Sequence, residues 1–194
     1  FIKQTTALNC GPVALQMVLA YFEDKNPLKT IEKITGINEG KSISTLQIAN
    51  ASAKLGFRTE FYSLHINFNK ENLKLEFYKK YAEQEIQSNR QVDEARRLNV
   101  KLNERSMTLG ELLRFVTNES VPIVLIDWNV IKGNKEKGYQ GHFVPLVGYD
   151  EENIFIHNHG LSDTTELMKI DKELFDMAGK AKGTDEDVVV IYKK

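Results

Sequence analysis

Cysteine, proline and tryptophan are scarce in this chain: one, four and one residue among 194. A lone cysteine excludes an intrachain disulfide and fits a reducing, cytoplasmic setting. A chain of this length buries about 70% of the surface its unfolded form exposes, so no covalent staple is needed. An excess of charge of one sign is missing too. Twenty-six Lys and Arg face 27 Asp and Glu, for a net charge of -1, which removes the usual reason to expect nucleic acid or a membrane surface as partner. No run approaches the ~18 apolar residues of a membrane span, and no signal-peptide pattern follows Phe1. Internal repeats and low-complexity segments are absent. The expectation is one domain over residues 1–194 with no cofactor.

What is present begins at the single cysteine. Cys10 stands in Gln4-Thr5-Thr6-Ala7-Leu8-Asn9-Cys10-Gly11-Pro12, directly before an apolar helical pattern over residues 11–22. Pro12 suits a first helical turn, where its missing N–H costs nothing. Residues 27–35 read as a short helix closed by Gly36. A third helix, over 45–55, has Ser44 as its N-cap and Gly56 as its C-cap signal. Residues 57–64 alternate partly, as a strand does. Thr108 and Glu111 stand in capping-box spacing before another helix that runs through Val116. The pattern then turns to strands: 122–127, a hairpin of 142–149 and 153–158 turning at 150–152, and a closing strand over 187–192. A polar loop is expected over 128–140, and a short helix over 171–178. Helices first and an antiparallel sheet second is an α+β signature.

Residues 66–106 differ from the rest. They hold no glycine and no proline, and their positive and negative side chains nearly balance. Leu73, Phe77 and Tyr81 repeat every four residues. One or two amphipathic helices are expected, inserted between the helical half and the strand half. Such a segment reads first as a solvated cap packed on one side, and second as a lid or docking arm beside an active site.

A polar loop that delivers one thiol to a helix N-terminus suits a nucleophile, because first-turn N–H groups and the helix dipole favour the thiolate. The alternative is a buried cysteine acting as a small apolar residue. His142 opens an apolar strand after Gly138, Gly141 and a polar loop, at the expected mouth of a cleft. Asn158 ends the next strand, and the two lie symmetrically about residue 150 in the hairpin turn. The hairpin therefore brings them together, and an Asn oxygen can fix the imidazole tautomer. Gln4 offers an amide donor to an oxyanion. Asp127 and Asp150 are alternative orienting carboxylates, Asp150 being more simply the turn. His157 and His159 flank Asn158 and, in an extended segment, point away from its side, and His159 is an alternative to Asn158 for a site role. No second cluster with ligand spacing accompanies them, so no metal site is expected.

These segments resemble the papain-like cysteine peptidases that cleave double-glycine leader peptides, usually found as N-terminal domains of bacteriocin-exporting ABC transporters, and their stand-alone relatives. The likeness rests on Gln4 with Cys10-Gly11-Pro12, Gly40-Lys41-Ser42-Ile43-Ser44, Leu55-Gly56-Phe57, the strand from Val121, His142-Phe143-Val144 with Gly148-Tyr149-Asp150, and Ile156-His157-Asn158. It covers most of the chain outside 66–106. It implies a papain-like fold in which Cys10 is the nucleophile, His142 the general base and acid, Asn158 the orienting residue and Gln4 the oxyanion donor. Asn158 stands where the family usually has aspartate, as asparagine does in papain, and His159 stands where it usually has proline. The implied activity is cleavage of a peptide or amide bond through a Cys10 thioester, with a peptide or protein as substrate. The alternatives are acyl transfer on the same fold and non-catalytic peptide binding.

Overall fold

A computed structural model describes residues 1–82 and 85–194. The first helix, α1 (Cys10–Tyr21), buries Val13, Ala14, Leu15, Met17, Val18 and Leu19. It is apolar nearly all round because it lies within the protein rather than on it. Gly11 permits this: a Cβ there would sit 2.7 Å from Ile43 Cδ1. Helix α2 (Leu28–Thr35) ends at Gly36, whose φ of 70° places it in the left-handed region. Helix α3 (Thr45–Lys54) opens with a reciprocal capping box between Ser44 and Gln47. Strand β1 (Thr59–Ser63) follows.

The segment expected as a helical insertion contains a 3-10 turn (Lys70–Lys74), α4 (Glu76–Tyr81) and α5 (Glu85–Arg97). It also contains a strand, β2 (Lys101–Glu104), which corrects the all-helical expectation. Residues 83–84 of that segment lie outside the described residues. Strand β2 forms because it has a partner. It runs parallel to β1 with Glu60 opposite Lys101, and Lys101 Nζ lies 3.1 Å from Glu60 Oε2. Glu60 is almost fully buried and also accepts hydrogen bonds from Tyr62 and Tyr192.

Helix α6 (Leu109–Leu113) carries the expected Thr108–Glu111 box. The next elements are β3 (Ser120–Asp127), a short α7 (Trp128–Ile131) within the expected loop, β4 (Gly141–Tyr149) and β5 (Asn153–Asn158). The chain closes with β6 (Thr165–Asp171), α8 (Lys172–Gly179) and β7 (Val188–Tyr192). The seven strands form one sheet in the order β2-β1-β7-β3-β4-β5-β6. The pairing is antiparallel except between β1 and β2. The fold is α+β and papain-like in its division into a helical part and a sheet.

Both faces of the sheet's centre are covered. Ile123, Leu125, Phe143, Val189 and Ile191 pack with α1 and α3 on one face. Val124, Ile126, Val144, Leu146, Val188 and Val190 pack with Phe175 and Leu112 on the other. This explains why β3 and β7 read as unbroken apolar runs rather than alternating ones. Among the described residues no helix is long and apolar enough to cross a membrane.

Candidate active site

Cys10 is the first residue of α1 and belongs to the core shared by α1, α3 and the sheet. Its N-cap, Asn9, does not cap the helix. The Asn9 side chain instead donates to Thr5 and Glu32 and accepts from the Thr6 N–H, fixing the loop that carries the thiol. Burial pushes the Cys10 thiol above its ordinary value, and this outweighs the N–H groups of Phe143, Gly11 and Cys10 itself, which favour the thiolate. The expected downward pull of the helix N-terminus is therefore present but smaller than desolvation. Contact with the Phe143 N–H places the sulfur beside β4, one residue from His142.

His142 is buried, with its ring packed edge-on against Trp128 at a centroid distance of 5.2 Å. Burial first, and then the neighbouring His159, hold its pKa down at about 3, while the Asn158 side chain acts in the opposite sense. The ring is neutral at physiological pH. Its Nε2 is shut off from solvent and makes no hydrogen bond. His142 is linked to Cys10 through Phe143 and His159, and no hydrogen bond joins the two side chains.

Asn158 lies close enough to His142 to favour its charged form, although the hairpin register differs from the symmetric one expected. Leu146 faces Ile156 and Gly148 faces Phe155, with an irregularity between them, so Asn158 falls about two positions from the place opposite His142. The Asn158 Nδ2 donates to the Asp163 carbonyl, and Oδ1 accepts from the Gly160 N–H at 3.3 Å. With the amide nitrogen occupied, the oxygen is the end available to an imidazole N–H.

Gln4 is buried, and its Nε2 donates to the Thr6 carbonyl at 2.9 Å while Oε1 has no partner. Its backbone N–H donates to the His159 carbonyl, which ties the N-terminal segment to the end of β5. Asp127 caps α7 through the Asn129 N–H and accepts from the Gln140 N–H. Asp150 accepts the turn N–H groups of Glu152 and Asn153. Both carboxylates serve the backbone.

His159, the alternative to Asn158, lies beside His142 and Cys10. The chain leaves β5 at Asn158, and strand alternation ends there. His159 is fully buried, its ring centroid lies 5.0 Å from that of His142, and its Nε2 lies 2.9 Å from the Cys10 carbonyl oxygen. Its Nδ1 faces the His157 carbonyl at 3.1 Å. A neutral imidazole has one N–H and so satisfies one of these carbonyls. His157 accepts the Leu167 N–H at Nδ1. Among the described residues no group of three or more His, Cys, Asp or Glu is placed to hold a metal ion.

A cleft of about 140 Å³ opens beside Cys10. Its lining includes Ala7, Leu8, Ser42 to Leu46 and Phe143, together with Asn72, Phe77 and Tyr78 of the inserted segment. Phe77 and Tyr78 pack on Tyr139 at 5.4 and 5.5 Å, and the Tyr139 hydroxyl lies 2.7 Å from where a Gly141 Cβ would be. The insertion therefore leans directly on the start of the strand that carries His142.

The family model described as guanylylate cyclase matches residues 1–191. Three crystal structures share the fold. A C39-like peptidase from Bacillus anthracis is 14% identical, with a TM-score of 0.60, over all of this chain and 94% of that one. The peptidase domain of Streptococcus ComA, a bifunctional ABC transporter involved in a quorum-sensing pathway, is 15% identical with a TM-score of 0.53, over 100% and 97%. A double-glycine-motif protease from an AMS/PCAT transporter, in complex with its leader peptide, is 18% identical with a TM-score of 0.52, over 100% and 89%.

Proposed function

The chain belongs to the guanylylate cyclase family and has the fold of C39-like peptidase domains, and from that premise we propose that it is a cysteine-nucleophile hydrolase of peptide or amide bonds. The observation that carries this reading is the seating of Cys10: a thiol at a helix N-terminus, on the wall of a cleft, against backbone N–H groups, with a neutral histidine at the neighbouring strand position.

The proposed chemistry starts from two neutral partners. Cys10 Sγ attacks the amide carbon as His142 Nε2, the ring nitrogen without a partner, takes the thiol proton. Catalytic hydrogen bonds often tighten only when substrate is bound. Asn158 holds the ring through Oδ1. The oxyanion sits against the helix-terminal N–H groups and the second N–H of the Gln4 amide, the first being used on Thr6. His142 returns the proton to the leaving amine, and water releases the acyl group from the thioester. An amine acceptor in place of water would make the same residues a transferase. The fold neighbour that holds a leader peptide supports an extended peptide as substrate.

The family's name favours a second reading, cyclisation of a guanine nucleotide. The described lining of the cleft includes no lysine or arginine to hold a triphosphate. The test is one experiment with two arms. Fluorogenic peptide pools and GTP are each incubated with the chain and with Cys10→Ala. Peptide turnover that disappears in a folded Cys10→Ala supports the hydrolase. Cyclic nucleotide formation that is indifferent to Cys10 would replace it.

A further inference from the structure

Three polar atoms on the walls of the Cys10 cleft are shut off from solvent with few partners: Asp187 Oδ1 and Thr45 Oγ1, which face one another, and Tyr139 Oη, which faces the Tyr78 hydroxyl. The neighbouring Asp185 is different. Asn69 donates to its Oδ1 and Asn72 to its Oδ2, so its carboxylate is fully engaged. The hydroxyls of Ser63 and Thr45 lie close enough to Asp187 to favour its charged form without saturating it. Unsatisfied buried acceptors are rare in folded proteins, because each forgoes the hydrogen bonds it had in water. Asp187 Oδ1, approached only by hydroxyls, is the acceptor here that an incoming donor can satisfy, with the Thr45 and Tyr139 hydroxyls beside it.

The position is set by strand pairing. The Asp187 carbonyl accepts the Leu125 N–H, and Leu125 lies opposite Phe143, whose N–H faces the thiol. Asp187 is thus two strand spacings from Phe143, about 10 Å, the length of about three residues of extended peptide. The Tyr139 hydroxyl, over Gly141, lies beside the same strand.

We propose that Asp187, Tyr139 and Thr45 form a specificity subsite for a lysine or arginine side chain, within about three residues of the bond attacked. Among the described residues no cation faces this carboxyl group, and an ammonium or guanidinium group fills the deficit with charge-assisted hydrogen bonds. The apolar stem of such a side chain packs on the Phe77, Tyr78 and Tyr139 rings that edge the cleft. This inference rests on the peptide-substrate reading, and its test separates the two.

Binding is measured on the full chain carrying Cys10→Ala, so that turnover does not enter. The probes are short acetylated, amidated peptide pools that differ at one position: lysine, arginine, norleucine or glutamine. The expected result is roughly tenfold tighter binding of the lysine and arginine pools, a preference lost in Asp187→Asn. Tyr139→Phe keeps the ring and removes only the hydroxyl. It is expected to weaken the preference severalfold and serves as the second variant if Asp187→Asn does not fold. Equal binding of all pools, or no binding of any, overturns the subsite. Cleavage by the unsubstituted chain with no basic preference overturns it while leaving the hydrolase standing. A basic preference in binding with no cleavage keeps the subsite and removes the hydrolase.

Discussion

Asp187 makes a demand on stability that can be measured without knowing any substrate. Burial in the cleft wall pushes its carboxyl up to about 7 from an ordinary 3.8, against the pull of Ser63 and Thr45. Below pH 3.8 the carboxyl is protonated in both folded and unfolded chains and costs nothing. As pH rises from there towards 7, the unfolded chain releases the proton first, so stability falls, and the loss is complete above 7. The span is about 3 pH units, and at about 1.36 kcal/mol per unit the ceiling is about 4 kcal/mol. That is a large share of the roughly 5–15 kcal/mol that holds a domain folded. Asp187→Asn keeps the shape and does not titrate. Urea unfolding can be followed through Trp128, the only tryptophan, at matched ionic strength from about pH 4 to pH 8. The variant's stability relative to the parent should rise across that range by roughly 3 kcal/mol, most of it between pH 5 and 7. A difference that stays constant with pH would show that the carboxyl is not held protonated and would refute the reasoning.

Three further outcomes follow from the same geometry. His142, held at about 3 against an ordinary 6.5, must gain a proton when the chain unfolds in acid. It alone should remove about 2 kcal/mol of stability between pH 7 and pH 5, a slope that His142→Gln flattens in acid-unfolding titrations. The buried Cys10 thiol should react with iodoacetamide more slowly at pH 7.5 than an unstructured thiol, and at the ordinary rate in urea. Faster reaction in the folded chain would mean that the helix N-terminus outweighs burial. Gly11→Ala places a methyl 2.7 Å from Ile43 Cδ1 and should cost about 1–3 kcal/mol in denaturant unfolding, whereas Gly110→Ala, with nothing within 4 Å, should cost little.

The helical half is legible in the sequence because its signals are local. The Ser44 and Thr108 caps, Gly36 and Gly56 all do what their residue types predict. The strand β2 is not legible: Lys-Leu-Asn-Glu has no apolar alternation, and it is a strand only because Glu60 and β1 lie beside it. The strand β6 is hidden for a related reason, being a mostly exposed edge whose single fully buried side chain is Ile170. Within the proposed site, the placing of Cys10 at the start of α1 and of His142 and Asn158 on adjacent strands is legible from chain order and hairpin logic. The distance by which the hairpin pairing departs from symmetry follows from the irregularity between Leu146 and Gly148, which no residue type announces. Asp187, Tyr139 and Thr45 come from three distant segments, and only the closing of the sheet brings them to one cleft.

The position of β7 has a consequence for how this chain is made. It follows every other element in the chain, yet it lies between β1 and β3 near the middle of the sheet. A ribosome delivers β1 and β3 long before the strand that joins them. Until then the two halves have matching open edges, each a template for the β7 of another copy. Contacts between residues about 130 apart, such as Thr59 with Ile191, must wait for loop closure, which slows folding. Completion of the sheet should therefore wait for β7, with exchange of β7 between copies as its characteristic error.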